Sequence, residues 1–465
     1  MALDGFVGTD DNIRRTMPPA ARARAARSVG SGIIPIATGF AIVLGVGFLL
    51  LMTPIASTNG EWTNPNTALF TAVSALCVTG LVLVDTQTHY SWFGELVILV
   101  LIQIGGLGYM VGTTVILWAL GRRLGLRDQQ MLRLYYGAPT MRETFSFTRA
   151  VALFTLRFEA AGAVILFFAF WYHGVPIEKA WWWGIFHAVS AFNNAGFNIT
   201  ANDMVGFTGA PVVLLTLASL IVVGGLGYLP LVNLWARRSF RKLSLDSKLI
   251  ILTSAALLVA GLGFTLAMEW GNDETLGPLS PDEKATVALF HSANSRTAGF
   301  SAVDQAELHD GTKVATVGLM FVGGGAGSTA GGLKVGAFAL LFVVMLATLR
   351  GQETVSVFRR RIPELFINQA TTLALYFVAL VFGFSFLLST TTDQDFVDVI
   401  FEAVSALCTV GLSAAGTPSF GTDGHYVLML AMLVGRFSPL MIVLYMTKPR
   451  RKLAFQHPED SVRLG

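Results

Sequence analysis

Long apolar segments alternate with shorter, partly polar ones along the whole chain. The long segments lie near residues 33–53, 94–120, 151–172, 211–235, 247–270, 313–346, 364–390 and 425–446. Each has the roughly 20 apolar residues that a helix needs to span a bilayer. The short segments fall within each successive pair, at 65–77, 180–193, 282–294 and 395–408. Because a stretch of roughly 10–14 residues cannot span, we predict eight transmembrane helices and four half-membrane, re-entrant helices.

The composition is that of a membrane protein. Of the 465 residues, 53% are hydrophobic and 13% are charged, whereas about 25% of the residues in a soluble domain are charged. The two cysteines and seven histidines lack the spacing of a metal site, and no acid–base constellation accompanies them. We therefore predict an all-α polytopic membrane protein that is not an enzyme, has no cofactor of its own and binds no nucleic acid.

The basic residues are concentrated in alternate loops. Most of the 32 lysines and arginines fall in the N-terminal tail and in clusters at 122–149, 237–248, 350–361 and 448–463. The loops between these clusters carry Asp203, Asp273, Glu274, Asp304, Glu307, Asp310, Asp393 and Asp395 instead. Since positively charged loops stay in the cytoplasm, we expect both termini inside a plasma membrane and the half-helices entering from outside. A mitochondrial presequence is the alternative explanation of the arginine-rich start.

The half-helices end in similar sequences, which define four repeats. "AVSALCVTGL", "AVSAFNNAGF", "HSANSRTAGF" and "AVSALCTVGL" align Gly80, Gly196, Gly299 and Gly411. The predicted order is a basic tail at 1–32, repeats at 33–120, 151–235, 247–346 and 364–446, and a second tail at 447–465. Each repeat is a span, a half-helix and a span in the same orientation, and four such parallel repeats imply a pseudo-fourfold pore.

A second glycine recurs in the later span of every repeat, at Gly105, Gly224, Gly323 and Gly435. Close helix packing explains these residues, but it does not explain a half-helix followed by a glycine-bearing loop four times over. Irregular backbone at membrane depth must face protein or water. A ring of its carbonyl oxygens can replace the hydration shell of a cation, and the negative end of each half-helix dipole favours the same charge. The repeats therefore predict a cation pathway.

These motifs resemble the membrane subunit of the Ktr/Trk/HKT superfamily of potassium transporters, most nearly its Ktr type. The resemblance extends from about residue 30 to 450 and includes the glycine-rich "GGGAGSTAGGLKV" at 323–335 and the "GR" at 435–436. It implies a selectivity filter made by the backbone of Val78, Thr79, Gly80, Asn194, Ala195, Gly196, Thr297, Ala298, Gly299, Thr409, Val410 and Gly411, where K⁺ would bind. Gly80 implies potassium rather than sodium, because sodium-preferring relatives tend to have serine there. The roles of Cys77 and Cys408 stay open.

The resemblance also implies a gate, partners and a transported ion. The gate comprises Gly323, Gly324, Gly325, Gly327, Ser328, Thr329, Gly331, Gly332, Lys334 and Arg436. The implied partners are a second copy of the chain and a cytoplasmic ring of nucleotide-binding regulatory subunits of the RCK/KTN type. Potassium is the expected cargo, with sodium as an activator or co-ion left open.

Length alone predicts a break in the third repeat. One helix over residues 313–349 would extend about 55 Å, far more than a hydrocarbon core of about 30 Å. Glycine is unfavourable in a helix and permissive in a loop, so we predict the break at 323–332. A flexible cytoplasmic loop is the alternative. A dinucleotide site is excluded, because no strand precedes "GAGSTA" and no acidic residue follows at the required distance.

Several polar residues have two explanations each. Arg436, near mid-membrane, either bonds the carbonyls of the gate or ties helices together, and Lys334 either anchors the break or extends toward the cytoplasm. Arg296 is expected to brace the third filter loop. Asp85 and Asp304 either concentrate cations at an outer mouth or cap helices. The histidines His187 and His291 are expected to be packed and neutral, and no role is assigned to Glu159.

A secondary transporter is the competing class. Such proteins alternate access around a midplane site and use inverted repeats with broken helices. The parallel repeats argue against that class, but a sodium-coupled or sodium-permeable cation transporter remains the alternative function.

Overall fold

The computed structural model describes residues 38–108, 144–200, 203–352 and 354–446. This part of the chain is predominantly helical, with one short hairpin, β1 (Ser356–Val357) and β2 (Arg360–Arg361). The helices are α1 (Thr38–Met52), α2 (Pro65–Cys77), α3 (Thr86–His89), α4 (Trp92–Gly106), α5 (Thr144–Tyr172), α6 (Ile177–Asn193), α7 (Pro211–Leu226), α8 (Tyr228–Arg237), α9 (Leu245–Glu269), α10 (Pro281–Asn294), α11 (Asp310–Phe321), α12 (Val335–Leu349), α13 (Glu364–Ser389), α14 (Phe396–Leu407) and α15 (Gly421–Met446). The predicted tails 1–32 and 447–465, residues 109–120 of one predicted span and most of the basic cluster 122–149 lie outside the described residues.

The four predicted half-helices coincide with α2, α6, α10 and α14 to within three residues at each end. Local sequence explains their starts. The side chain of Asn64 caps α2 ahead of Pro65, and Ser280 and Glu283 form a capping box at α10, so the first unpaired backbone N–H groups are satisfied. Helix α6 starts earlier than predicted, directly after Pro176.

Among the described residues, three helices are each long and apolar enough to cross a membrane, Arg149–Tyr172, Leu245–Glu269 and Glu364–Ser389, and α7 with α8 makes a fourth if that bent pair is one span. Side chains on their outer faces are widely exposed, Phe382 by 73% and Phe386 by 69%. Exposed apolar side chains in such numbers are what a lipid environment permits and water does not.

The predicted span at 211–235 is interrupted by a sharp bend. The chain bends by 96° between α7 and α8, because Gly227 adopts a φ of 84°, a left-handed conformation that glycine allows without strain. An ideal Cβ on Gly227 would lie 3.1 Å from the carbonyl oxygen of Ala326. The bend therefore brings this helix end against the glycine-rich segment of the third repeat.

The predicted break in the third repeat is present and slightly longer than expected. Helix α11 ends at Phe321 and α12 begins at Val335. Between them, Val322 and Leu333 form a parallel bridge, in which the Gly323 N–H donates to the Leu333 carbonyl at 3.0 Å. Residues 323–332, which we call the glycine-rich break, are buried apart from Ala326 and Gly327. This burial argues against the alternative of a flexible cytoplasmic loop.

The second glycine set allows spans to touch the half-helices. Ideal Cβ atoms on Gly105, Gly224 and Gly435 would collide with the carbonyl oxygens of Leu76, Phe192 and Leu407, respectively. Each of these carbonyls belongs to the residue four positions before the aligned glycine of its repeat. The contact is therefore the same in the first, second and fourth repeats, and only a residue without a side chain permits it.

Candidate functional site

The segments that follow the half-helices share one backbone conformation. Positive φ angles occur at Val78, Asn194, Thr297 and Thr409 (59°, 58°, 73° and 51°) and again two residues later at Gly80, Gly196, Gly299 and Gly411 (97°, 71°, 82° and 98°). We call residues 78–80, 194–196, 297–299 and 409–411 the filter loops, after the role that the resemblance implies. In a strand, successive carbonyls alternate in direction; left-handed residues at every second position break that alternation, so neighbouring carbonyls need not point to opposite sides.

The four filter loops meet in a closed ring. An ideal Cβ on Gly80 would lie 2.5 Å from the carbonyl oxygen of Ala195, one on Gly196 2.8 Å from that of Ala298, and one on Gly299 2.5 Å from that of Val410. The ring closes at Gly411, whose Cβ would collide with the carbonyl oxygen of Thr79. Each glycine therefore packs against the middle residue of the next loop, in chain order, and the predicted filter residues of all four loops lie together.

Each loop is tied to its own half-helix. Ser74 Oγ accepts the Gly80 N–H at 3.1 Å, and Ser405 Oγ accepts the Gly411 N–H at the same distance. In the second repeat Ser190 Oγ donates to the Phe197 carbonyl at 2.8 Å. In the third repeat the Phe300 N–H donates to Asn294 Oδ1 at 3.2 Å. These four ties hold the backbone without occupying the carbonyls of Thr79, Ala195, Ala298 and Val410.

Buried hydroxyl groups line the same loops. The Oγ1 atoms of Thr79, Thr297 and Thr409 are buried and have no hydrogen-bond partner among the described residues. A buried polar oxygen without a partner is costly. Oxygen atoms, from hydroxyl and carbonyl groups alike, are the ligands that a hard cation favours. Among the described residues, no group of three or more histidine, cysteine, aspartate or glutamate side chains could hold a metal ion.

The position three residues before each ring glycine is cysteine in the first and fourth repeats, asparagine in the second and arginine in the third. Cys77 and Cys408 are buried and free. Asn193 donates to Glu159 Oε1 at 2.8 Å and to Gln103 Oε1 at 3.1 Å, so Glu159 is a buried partner of the second filter loop that sequence reasoning left without a role. The signal was present, since a carboxylate within an apolar span is rarely incidental.

Arg296 takes that position in the third repeat. Its Nη2 donates to the Gly323 carbonyl at 3.1 Å and to Ser254 Oγ at 3.1 Å. Arg296 thus joins the end of α10 to α9 and to the start of the glycine-rich break, and its bracing of the third filter loop stays a prediction.

The glycine-rich break touches the second and fourth filter loops. Thr329 Oγ1 lies 3.2 Å from the Phe192 carbonyl oxygen and 3.1 Å from Asn194 Oδ1. An ideal Cβ on Gly331 would collide with the Cys408 carbonyl oxygen and with Thr409 Oγ1. The break therefore packs against the side of the ring where the C-termini of the half-helices lie.

The remaining predicted gate residues form the framework of this loop. Gly325 N–H donates to the Gly225 carbonyl at 2.8 Å, and an ideal Cβ on Gly324 would collide with the same oxygen. Gly327 and Gly332 have φ angles of 73° and 64°, and Ser328 Oγ is buried.

Two cations hold the break. Arg436 Nη1 donates to the Thr329 carbonyl at 2.8 Å, and Nη2 donates to the Gly105 carbonyl at 2.6 Å. Lys334 Nζ donates to the Ala330 carbonyl at 2.7 Å. Both cations contact the loop directly, and Arg436 also ties it to the first repeat through charge-assisted hydrogen bonds.

The acidic residues beyond the ring accept hydrogen bonds from nearby backbone N–H groups. Asp85 Oδ1 accepts from Thr88 N at 2.8 Å at the start of α3, and Asp304 Oδ1 accepts from Ala306 N at 3.0 Å. His187 and His291 are buried and hydrogen-bonded, His187 to the Trp183 carbonyl at 2.7 Å and His291 to Thr316 Oγ1 at 3.2 Å. The contact of Asp85 is a helix cap, whereas that of Asp304 closes a local turn ahead of α11.

Comparison with known proteins gives a consistent picture. A family model described as TrkH, cation transport protein, matches residues 42–454. The chain is 34% identical over 437 residues to Ktr system potassium uptake protein B of Bacillus subtilis, covering 92% of this chain and 96% of that protein. It is 31% identical over 440 residues to potassium/sodium uptake protein NtpJ of Enterococcus hirae, covering 92% and 96%. The crystal structure of the potassium transporter TrkH of Vibrio parahaemolyticus matches with a TM-score of 0.67 at 20% identity, covering 88% of this chain and 85% of that one.

Proposed function

The chain belongs to the TrkH family of cation transport proteins, and from that premise we propose that it takes up potassium ions through the ring of filter-loop carbonyls. Membership makes it a membrane transporter of the Ktr/Trk type and not an enzyme. The relative from B. subtilis is named a potassium uptake protein, whereas NtpJ is named for potassium and sodium. Potassium is therefore the first candidate and sodium the second.

The observation that carries the proposal is the closed ring of four glycines. At each contact a glycine packs against the carbonyl-bearing residue of the next loop, so no side chain intrudes between the loops. Carbonyl oxygens around an axis can replace the hydration shell of a cation. The C-termini of the four half-helices, each equivalent to roughly half a negative charge, lie beside the ring and favour the same charge.

The proposed membrane arrangement has eight spans in four span–half-helix–span repeats around a pseudo-fourfold axis, at 33–120, 151–235, 247–346 and 364–446. The recurring contact of Gly105, Gly224 and Gly435 with the half-helix ends supports it. Both termini and the basic loops lie in the cytoplasm of a cell with this protein in its plasma membrane, as the positive-inside rule requires.

Labelling of introduced cysteines tests this topology. In intact cells, Gly206→Cys and Asp310→Cys should react with a membrane-impermeant thiol reagent, whereas Ser356→Cys should react only after the cells are opened. The three positions are exposed, and the native Cys77 and Cys408 are buried, so the unmodified protein serves as the background. Labelling of Ser356→Cys in intact cells would reverse the proposed orientation.

The glycine-rich break with Arg436 is proposed as the gate. It packs against two filter loops, and its Thr329 carbonyl is held by the Arg436 guanidinium at 2.8 Å. A segment at this place would interrupt an axial path, and its movement requires that charged hydrogen bond to break. Lys334 anchors the same segment through Ala330.

The proposed assembly follows the resemblance to the Ktr type. It is a homodimer in which each chain has its own pore, and a cytoplasmic ring of nucleotide-binding RCK/KTN-type subunits binds to the basic loops. Potassium is the transported ion, with sodium as an activator or co-ion. A sodium-coupled or sodium-permeable transporter is the second candidate, favoured by the name of NtpJ.

Uptake measurements decide between the two candidates. Expressed in cells that lack their own potassium uptake, the chain should restore growth and ⁴²K or rubidium uptake at low external potassium. Uptake that persists without external sodium would support a potassium pathway, whereas uptake strictly proportional to co-transported sodium would support the coupled transporter. Cells expressing the chain that take up neither ion, with the protein inserted, would contradict both.

A further inference from the structure

Asp203 joins the outer ends of two neighbouring filter loops. Its Oδ1 accepts a hydrogen bond from Asn198 Nδ2 at 2.6 Å, and its Oδ2 accepts one from the Ser301 backbone N–H at 2.7 Å. Asn198 follows Gly196 by two residues, and Ser301 follows Gly299 by two residues. One carboxylate therefore bridges equivalent positions of the second and third loops, 98 residues apart in the chain for the Ser301 contact.

The backbone around Asp203 is fixed for this bridge. Its φ is 55°, a left-handed conformation that aspartate tolerates better than most residues. Thr200 Oγ1 donates to the Asp203 carbonyl at 2.6 Å, and the Met204 N–H donates to the Ser301 carbonyl at 2.9 Å. These two hydrogen bonds hold the backbone on both sides of the Asp203 side chain.

The two residues that donate to Asp203, Asn198 and Ser301, are themselves hydrogen-bonded to other residues. Asn198 Oδ1 accepts from the Thr200 N–H at 2.7 Å and lies 2.6 Å from His187 Nε2 on α6. Ser301 Oγ accepts from Gln305 Nε2 at 2.6 Å. A change at Asp203 would therefore be transmitted to the half-helix behind the second loop and to the exit of the third.

This link belongs to one boundary of the ring. Asp203 makes no hydrogen bond to the equivalent residues of the other two repeats, Val82 and Ser413. The boundary between the second and third loops is also where Gly196 and Gly299 contact each other, with an ideal Cβ on Gly196 only 2.8 Å from Gly299 Cα. The spacing at this contact sets how far apart the ring carbonyls on that side can lie.

We propose that Asp203 is a positioning residue that fixes the separation of the second and third filter loops and thereby contributes to the discrimination between potassium and sodium. The inference rests on the proposed function, since it assigns a role within the same ring. A filter that selects by the number and spacing of its carbonyls requires that these do not relax around a smaller ion.

The ionised carboxylate is the form that the contacts require. Both partners are N–H donors, and a protonated carboxyl group would lose an acceptor site. Burial and, to a smaller extent, the nearby charge of Asp85 raise the pKa of Asp203, the hydrogen bonds from Ser301, Asn198 and Met204 lower it, and the result is a pKa of about 7. Asp85, from the segment after the first loop, is the charged group that faces it, and His187 reaches it only through Asn198. Since the carboxylate is ionised above its pKa, the bridge should weaken as the external pH falls through about 7.

Asp203→Asn tests the role with almost no change in shape. The amide keeps one acceptor but turns an NH₂ group toward either Asn198 Nδ2 or the Ser301 N–H, so one donor faces another. We expect the ratio of potassium to sodium uptake to fall about tenfold, the effect of losing one hydrogen bond to a charged group, with unchanged amounts of inserted protein. Asp304→Asn is the matched control, because Asp304 caps only its own turn.

The pH profile separates positioning from a general structural defect. In the unmodified protein the ratio of potassium to sodium uptake should decline as external pH falls from 8 to 6. In Asp203→Asn the ratio should be low and should not change with pH. Asn198→Ala removes one arm of the bridge and should reduce the ratio, and the double variant should be no worse than Asp203→Asn, because both act on one element. Should Asp203→Asn fail to insert, Asn198→Ala and its pH profile carry the test.

Two outcomes are distinguishable. If Gly80→Ser loses selectivity and both bridge variants retain the normal ratio and pH profile, the role of Asp203 is wrong and the proposed filter stands. If the unmodified protein shows no preference between the ions, the proposed filter itself is wrong.

Discussion

Replacing Gly80 with serine is expected to remove most of the preference for potassium over sodium. Gly80 has a φ of 97°, a conformation that costs a residue with a side chain about 1–2 kcal/mol. Its Cβ would also lie 2.5 Å from the Ala195 carbonyl oxygen and 2.9 Å from Gly196 Cα. Because both atoms belong to the ring, the neighbouring loop must move, and we expect the uptake ratio to fall about tenfold or more.

Parallel potassium and sodium uptake by the same cells measures this effect. Gly60→Ser is the matched control, because Gly60 also has a positive φ, 68°, but an added Cβ would meet nothing within 4 Å. It reproduces the backbone strain without touching the ring, so its uptake ratio should be normal. Equal ratios for the two variants, at similar protein levels, would mean that the first loop does not line the filter.

Removing the Arg436 guanidinium is expected to raise potassium flux. Arg436→Ala deletes the hydrogen bonds to the Thr329 and Gly105 carbonyls, and hydrogen bonds to charged groups contribute about 1.5–3 kcal/mol each. If the loop blocks the path, its displaced state should become about tenfold or more populated. Initial rates of potassium uptake at saturating external potassium measure the change.

Deleting residues 325–328 should have a related effect. This deletion shortens the glycine-rich break but keeps Thr329, which contacts Phe192 and Asn194 beside the second filter loop, so potassium preference should persist. The deletion combined with Arg436→Ala should raise potassium flux by less than the product of the two separate increases, because both changes act on the same loop.

Two arginine variants control for charge and for folding. Arg436→Lys keeps the charge but loses the planar guanidinium that reaches two carbonyls. Its potassium flux should therefore lie between that of the native protein and that of Arg436→Ala. Arg237→Ala removes an arginine that donates to the Lys242 carbonyl at 3.0 Å outside this region, and its flux should be unchanged. A lower flux in Arg436→Ala or in the shortened protein, with normal insertion, would indicate a structural role for the break.

Local signals in the sequence were sufficient to locate the half-helices and the residues after them. Capping by Asn64 with Pro65, and by Ser280 with Glu283, involves groups within a few residues of each other. The ring glycines, such as Gly80, are likewise recognisable, because their motif recurs in all four repeats. The break in the third repeat followed from length, since one continuous helix would exceed the bilayer.

The sequence by itself therefore determined the helical membrane class, the four half-helices, the aligned glycines and the place of the break, because periodicity, caps and glycine conformations act over a few residues. Only the tertiary structure decided the order of the ring, the bend at Gly227, the second partner of Arg436 and the bridge made by Asp203. The Arg436 contact with Gly105 joins residues 331 apart, and the Asp203 contact with Ser301 joins residues 98 apart. Hydrophobicity and charge show that such polar groups need partners, but which partner each one finds depends on how the helices pack against one another.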